Sequence, residues 1–398
     1  MIARSRFQLS GANPLLVGSL FYWFYWSFVA VYDPYLNVYF SELGLSAFQI
    51  GIIVTVVPLA SLIWSPFVSA MADRYGKRVQ FLQWSMIGWM VMVGLVSLPK
   101  TFWAILPLVF ILSLARSPSS PLSDSMIASM AARHGLSYGR MRMWGSAGFA
   151  LFSIICGFLW TQVGYGPMFA VAILLALPVI YFSSKLEPGP VVNSQERGPI
   201  LELLRDPGLV TLFVISFLTG ASLLSTYIFG GIYMAAIGGN EFMMGLMFGI
   251  SALIEFPVML YSGNIIHRLS SARTMWLSLA VLTLSVLGFA LASTPEMLVV
   301  AGMVKGVGFG LFFVTLVRLI DERAQDEWKS TAQAISGSLW VGLSPLLTSA
   351  LFGYIFDVWG GSTLYGVAAI MGVTAVLLMG LAIAKNWFAP IQERKSVS

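Results

Sequence analysis

Apolar runs long enough to cross a bilayer as helices recur twelve times along this chain, at about 15–39, 46–72, 79–98, 101–131, 144–163, 166–184, 209–236, 243–266, 274–292, 297–319, 332–355 and 362–386. A backbone exposed to lipid must satisfy its own hydrogen bonds, which leaves helices or a closed barrel. Barrel strands would read as alternating segments of about ten residues, and these runs do not alternate. Composition agrees, with 58% apolar residues, 10% charged residues and a mean hydropathy of +0.84, far from the soluble range. The expected fold class is an all-α integral membrane protein with twelve transmembrane helices.

Charge between the spans is one-sided. In a twelve-span topology Lys100 alone falls on one side, and all other lysines and arginines outside the spans fall on the opposite one. The positive-inside rule makes that basic side cytoplasmic, so both termini are expected there, in a multi-pass protein of the cell's inner membrane. The net charge of +5 then reflects topology and contact with anionic membrane lipid. No basic cluster interleaved with aromatics points to nucleic acid. The single cysteine, Cys156, lies within a span, and His134 and His267 sit at cytoplasmic helix ends, so no disulfide, clustered metal site or cofactor is expected. The basic segment Met1 to Asn13 runs straight into a full-length span without a small-residue cleavage site and reads as the lead-in to a retained first helix.

Polar and helix-breaking residues concentrate in the middle, in KLEPGPVVNSQERGPILELLRDPG at 185–208. The expected organisation is an N-terminal six-helix bundle at 1–186, a cytoplasmic linker at 187–208 and a C-terminal six-helix bundle at 209–398. A weak internal repeat supports the division, because SAMADRYGKR at 69–78 lines up with GNIIHRLSSAR at 263–273. Parallel six-helix repeats with a binding site between them are a transporter architecture. The short loops supply neither a signalling domain nor a nucleophile and base, so an enzyme is not expected.

Five ionisable residues interrupt the spans: Asp33, Arg116, Asp124, Glu255 and Lys305. A charge at the centre of a span costs roughly 2.5–3.5 kcal/mol on insertion scales, so such residues face inward, pair, or work. Tyr22, Trp26, Val29 and Asp33 follow the spacing of one helix face, a stripe able to stack and hydrogen-bond a planar solute; alternatively Asp33 lies near the outer boundary in an interfacial aromatic belt. Arg116 precedes Ser117-Pro118-Ser119-Ser120-Pro121, where prolines remove helix bonds and serines can replace them, so it marks a kinked hinge or a guanidinium aimed at substrate. Glu255 lies mid-span and Lys305 is its candidate partner, in a static pair or in one whose change between conformations moves a proton. Asp124 and Arg142 read either as an ion pair tying two helix ends or as solute contacts.

The loop Asp73, Arg74, Gly76, Lys77 and Arg78 between spans two and three resembles the signature loop of the major facilitator superfamily. PLSDSMIASM at 121–130 and YGRMRMWGSAGF at 138–149 resemble the branch containing the phenylpropionate transporter, the nucleoside/proton symporters and, more distantly, lactose permease. The resemblance covers essentially the whole chain and implies two pseudo-symmetric six-helix bundles in a monomer. It implies that the loop with Asp73 and Arg74 docks on helix ends as a gate, and that Asp124, Arg142 and Phe149 stand where the sugar permease holds and stacks its solute. The expected function is proton-coupled uptake by alternating access, with Glu255 or Asp33 carrying the proton. Tyr22, Trp26, Asp33, Arg116, Asp124, Arg142, Phe149 and Lys305 would contact an aromatic carboxylate such as phenylpropionate, or else a nucleoside or small saccharide. Proton-coupled efflux and uniport on the same fold are the alternatives.

Overall fold

The computed structural model describes residues 13–188, 200–325 and 327–388, and these are helical almost throughout. The basic residues before Asn13 and most of the expected linker, 189–199, lie outside the described residues. Among the described residues nine helices pass as spans by length and hydropathy: α1 (Pro14–Glu42), α2 (Ala47–Arg74), α3 (Arg78–Val96), α4 (Phe102–Arg133), α5 (Tyr138–Val163), then, after the shorter apolar α6 (Met168–Ser183), α7 (Pro207–Ala236), α8 (Glu241–Leu269), α9 (Ser271–Leu291) and α10 (Pro295–Arg323). A tenth such stretch, Lys329–Ala384, is 56 residues long. As one helix it would measure about 84 Å, far beyond a hydrocarbon core of about 30 Å. Gly360 breaks it with φ 82 and ψ 171, giving α11 (329–359) and α12 (361–384). Among the described residues the result is twelve long apolar helices, six on each side of the chain's midpoint.

Burial tells which helices are central. The membrane windows of α1 and α7 are 67% and 72% buried within the protein, whereas the remaining windows lie between 33% and 56%. Each is the first helix of its half, so the repeat places equivalent helices at the axis. Local chemistry sets the ends. Asn13 caps α1 by accepting from the Leu15 amide at 3.0 Å, and Asp206 caps α7 by accepting from Leu209 at 2.9 Å while also binding Arg323.

Two helices change pitch in mid-span. In α2 a π-helical turn covers Ala60–Trp64, and in α11 another covers Ser338–Leu343. Each ends directly before a Ser-Pro pair, Ser65-Pro66 and Ser344-Pro345. A proline cannot donate to the carbonyl four residues back, and a widened turn accommodates the unpaired acceptor. The two π turns face each other, since a methyl placed on Gly342 would meet the Leu62 side chain at 2.9 Å.

The halves approach most closely at the end away from the basic loops. A side chain at Gly51 of α2 would collide with the Ser349 carbonyl of α11, and one at Gly353 with the Ala47 carbonyl. On the other flank Gly245 of α8 rests against the Ser153 carbonyl of α5. Only glycine permits such backbone contact. Asn37 of α1 adds a hydrogen bond to the Ile228 carbonyl of α7 at 3.0 Å.

Candidate functional site

The sequence stripe on α1 ends in two different environments. Tyr22 is buried, and its hydroxyl donates to Asp124 Oδ1 at 2.5 Å while lying 3.0 Å from the Tyr138 hydroxyl. Ser120 donates to the other Asp124 oxygen at 3.1 Å. Asp124 is therefore held by hydroxyls, and Arg142 forms no ion pair with it within 4 Å. Instead the Arg142 guanidinium lies 4.7 Å from the Trp26 ring centre and 5.3 Å from that of Tyr22. Such seats over aromatic faces hold a cation without neutralising it. Phe149 meets Trp26 edge-on, with ring centres 6.2 Å apart.

Asp33 lies roughly two and a half turns inside the end of α1. Arg116 donates to Oδ1 at 2.6 Å and reaches Oδ2 at 3.5 Å, and the Tyr227 hydroxyl of α7 donates to Oδ2 at 2.7 Å. One carboxylate thus joins α1, α4 and the opposite half of the molecule. Arg116 also lies 5.0 Å from the Trp89 ring centre, and Trp89 in turn donates its indole N–H to the Tyr32 hydroxyl at 2.7 Å. Burying a charged pair is tolerable when the remaining lone pairs and donors are met this way. α4 breaks just after Arg116, where the Pro118 ring removes a donor to the Leu114 carbonyl. Ser117 reaches that carbonyl at 3.4 Å, and Ser119 bonds the Arg116 carbonyl at 2.6 Å. The break and the charge coincide, so Arg116 is both at a kink and paired.

Glu255 and Lys305 occupy the C-terminal half. The Lys305 ammonium lies 5.3 Å from the Phe248 ring centre, and Phe248 packs edge-on against Tyr227 at 5.4 Å. Glu255 is within electrostatic reach of Lys305 on its own half and of Arg142 across the interface. Yet no ion pair within 4 Å joins Glu255 to either cation. Glu255 and Lys305 within their helices, and Arg142 near the start of α5, therefore act on one another without being neutralised by direct contact.

The loop after α2 is closed on itself. Arg78 is buried and binds Asp73, the Lys77 amide bonds the Ala72 carbonyl at 3.0 Å, and Gly76 takes the left-handed conformation, φ 64, that the turn needs. Arg74 and Lys77 point to the surface. Among the described residues no group of three or more histidine, cysteine or acidic side chains could hold a metal ion.

Several participants were not singled out from sequence, Tyr227, Trp89, Tyr138 and Phe248, and Ser120, read there as a substitute for a lost helix bond, binds Asp124. Tyr227 left the clearest trace. It sits deep within a thirty-residue apolar helix and not in an interfacial belt, where a phenol needs a partner.

The profile of the MFS_1 like family matches residues 15–367. Curated relatives include a maltose permease of Geobacillus stearothermophilus, 26% identical over 94% of this chain and 96% of the relative. Another is the multidrug resistance protein MdtG of Yersinia enterocolitica, 26% identical over 91% and 90%. A putative nucleoside transporter of Escherichia coli, YegT, is 23% identical over 90% of both chains. The crystal structure of the nucleoside transporter NupG superimposes with a TM-score of 0.79 at 18% identity, covering 95% of this chain and all of that one. A D-xylose-proton symporter structure gives 0.71 at 15% identity over 92% and 96%. At such identities the structural likeness carries the fold alone, while the profile carries the family. Twelve helices in two halves, charges gathered between them, and a family match across most of the chain make this protein a secondary transporter of the major facilitator superfamily, in its MFS_1 like family.

Proposed function

We propose that this transporter takes up a small carboxylate-bearing solute together with a proton, with an aromatic acid such as phenylpropionate as the first candidate. The two halves, 1–186 and 209–398 about the 187–208 linker, would rock around a cavity lined by α1, α4, α5, α7, α8, α10 and α11. In this reading the basic side is cytoplasmic, the protein works as a monomer in the inner membrane, and the Asp73 to Arg78 loop gates the cytoplasmic side.

One observation carries the reading. Arg142 from one half and Lys305 from the other rest on aromatic faces within electrostatic reach of Glu255, and none of the three is ion-paired within 4 Å among the described residues. A solute carboxylate can engage the cations, the Trp26 and Phe149 rings can pack on its apolar part, and Glu255 is left to take the proton. Tyr22 and Asp124 support the Arg142 seat. Asp33 and Arg116, being saturated, act by holding the helices around the site.

Names of the relatives favour a second reading. A maltose permease and nucleoside transporters suggest a neutral polyol solute, and MdtG suggests proton-driven efflux. The test is external pH in a lightly buffered, de-energised suspension of expressing cells as phenylpropionate, nucleosides and disaccharides are added in turn. Alkalinisation with phenylpropionate alone, absent in vector-only cells and in Glu255→Gln, is the expected result. Alkalinisation with a nucleoside or disaccharide instead would overturn the acid. Acidification would support exchange and sink symport, and solute entry without any pH change would leave a uniporter.

A further inference from the structure

The first turn of α2 is completed by a residue from the other half of the molecule. A helix start leaves several amides without intrahelical partners. Here Ser46 and Gln49 form a capping box, with Gln49 N donating to Ser46 Oγ at 3.2 Å and Ser46 N to Gln49 Oε1 at 3.0 Å. The box leaves the amides of Ala47 and Phe48. Asp357, near the end of α11, accepts both, Ala47 N on Oδ1 and Phe48 N on Oδ2, each at 2.8 Å. A carboxylate is the favoured group at a helix N-terminus, where the aligned peptide dipoles are positive. Among the described residues no ion pair within 4 Å competes for it.

Position gives this cap its consequence. It stands at the end of the molecule away from the basic loops, directly above the backbone contacts of Gly51 with Ser349 and of Gly353 with Ala47. Below those contacts the facing π turns, Ala60–Trp64 and Ser338–Leu343, interrupt the same two helices. Each helix therefore has a regular arm from the cap to the π turn, and the arms are zipped together across the halves. Asp357 is solvent-exposed, so water can replace both bonds when the halves part. A contact of this kind is weak enough to release in every transport cycle.

We propose that Asp357 is the latch of this end of the pathway: it holds the halves closed by capping α2 in trans, and on its release the arms of α2 and α11 separate by bending at their paired π turns. The inference goes beyond the solute reading and does not depend on which solute is carried.

Ser349 supplies the probe. Ser349 is 1% exposed in the zipped interface and its hydroxyl has no hydrogen-bond partner among the described residues, so Ser349→Cys removes no bond seen there. In purified full-length protein carrying Cys156→Ser, the thiol at 349 is the only one, and its reaction rate with a bulky maleimide reads the opening of this end. With Asp357 present the reaction should be slow. Asp357→Ala should raise the rate roughly tenfold, the equivalent of about 1.4 kcal/mol. Asp357→Asn keeps one acceptor oxygen and should fall between, which provides a milder variant if the alanine protein folds poorly. Ser46→Ala weakens the same helix start from within its own half and should leave the rate unchanged. Equal rates with and without Asp357, or a Ser46→Ala acceleration as large as that of Asp357→Ala, would overturn the latch.

Discussion

Two sets of charges lie between the halves, and they are finished to different degrees. Around Asp33 every obvious valence is used: Arg116 supplies the counter-charge, Tyr227 takes the second oxygen, and Trp89 covers the guanidinium. Around Glu255 the counter-charges stand back, Lys305 over Phe248 and Arg142 over Trp26. A saturated network fixes geometry, because losing one member exposes the rest to an apolar surrounding. An unsaturated one has capacity for a partner that arrives and leaves. In the proposed reading, structure and cargo divide between clusters that composition alone would have grouped together.

The division is tested most severely at Arg116. Arg116→Leu strands the Asp33 carboxylate, and removal of one partner of a buried pair costs about 3–5 kcal/mol. The expected outcome is a large drop in melting temperature of the purified protein, with most of it recovered by adding Asp33→Asn. Glu255→Gln in the same assay should melt close to the parent. If Glu255→Gln were as damaging as Arg116→Leu, the Glu255 set would be a structural network too.

Tyr227→Phe is the next smaller step. It removes one hydrogen bond to a charged acceptor, about 1.5–3 kcal/mol, and leaves Arg116 paired. Its melting temperature should fall by less than that of Arg116→Leu. Equal falls would mean that the bond across the halves, and not the ion pair, holds the cluster.

Why the sequence displayed the helices and not these pairings follows from the reach of local patterns. Apolar runs give length and number of spans directly, and the polar stretch at 185–208 separates the halves. Periodicity assigned Tyr22, Trp26 and Asp33 to one face of α1. It says nothing about the depth or rotation of neighbouring helices, so the partners of Asp33, 83 and 194 positions away, were invisible. Asp124 shows the same limit. Arg142 was its obvious counter-charge by type, yet α1 places the Tyr22 hydroxyl against the carboxylate and leaves Arg142 on the rings. Even the two π turns were foreshadowed only by their Ser-Pro pairs, a motif that elsewhere yields a simple kink.

Arg142 gives the finest discrimination between the two classes of charge. Arg142→Lys keeps the positive charge but loses the planar guanidinium that lies over Trp26 and Tyr22, a contact worth about 0.5–2 kcal/mol. Because among the described residues no carboxylate within 4 Å depends on it, the melting temperature should hardly move. Transport should instead show a KM raised roughly 2- to 30-fold with little change in maximal rate, since in the proposed reading the lost contact positions the solute carboxylate and moves no proton. A lowered melting temperature with unchanged KM would place Arg142 with Arg116 among the structural cations. The unsaturated set would then reduce to Glu255 and Lys305, on a single half of the molecule, and a solute would no longer be needed to bridge the two.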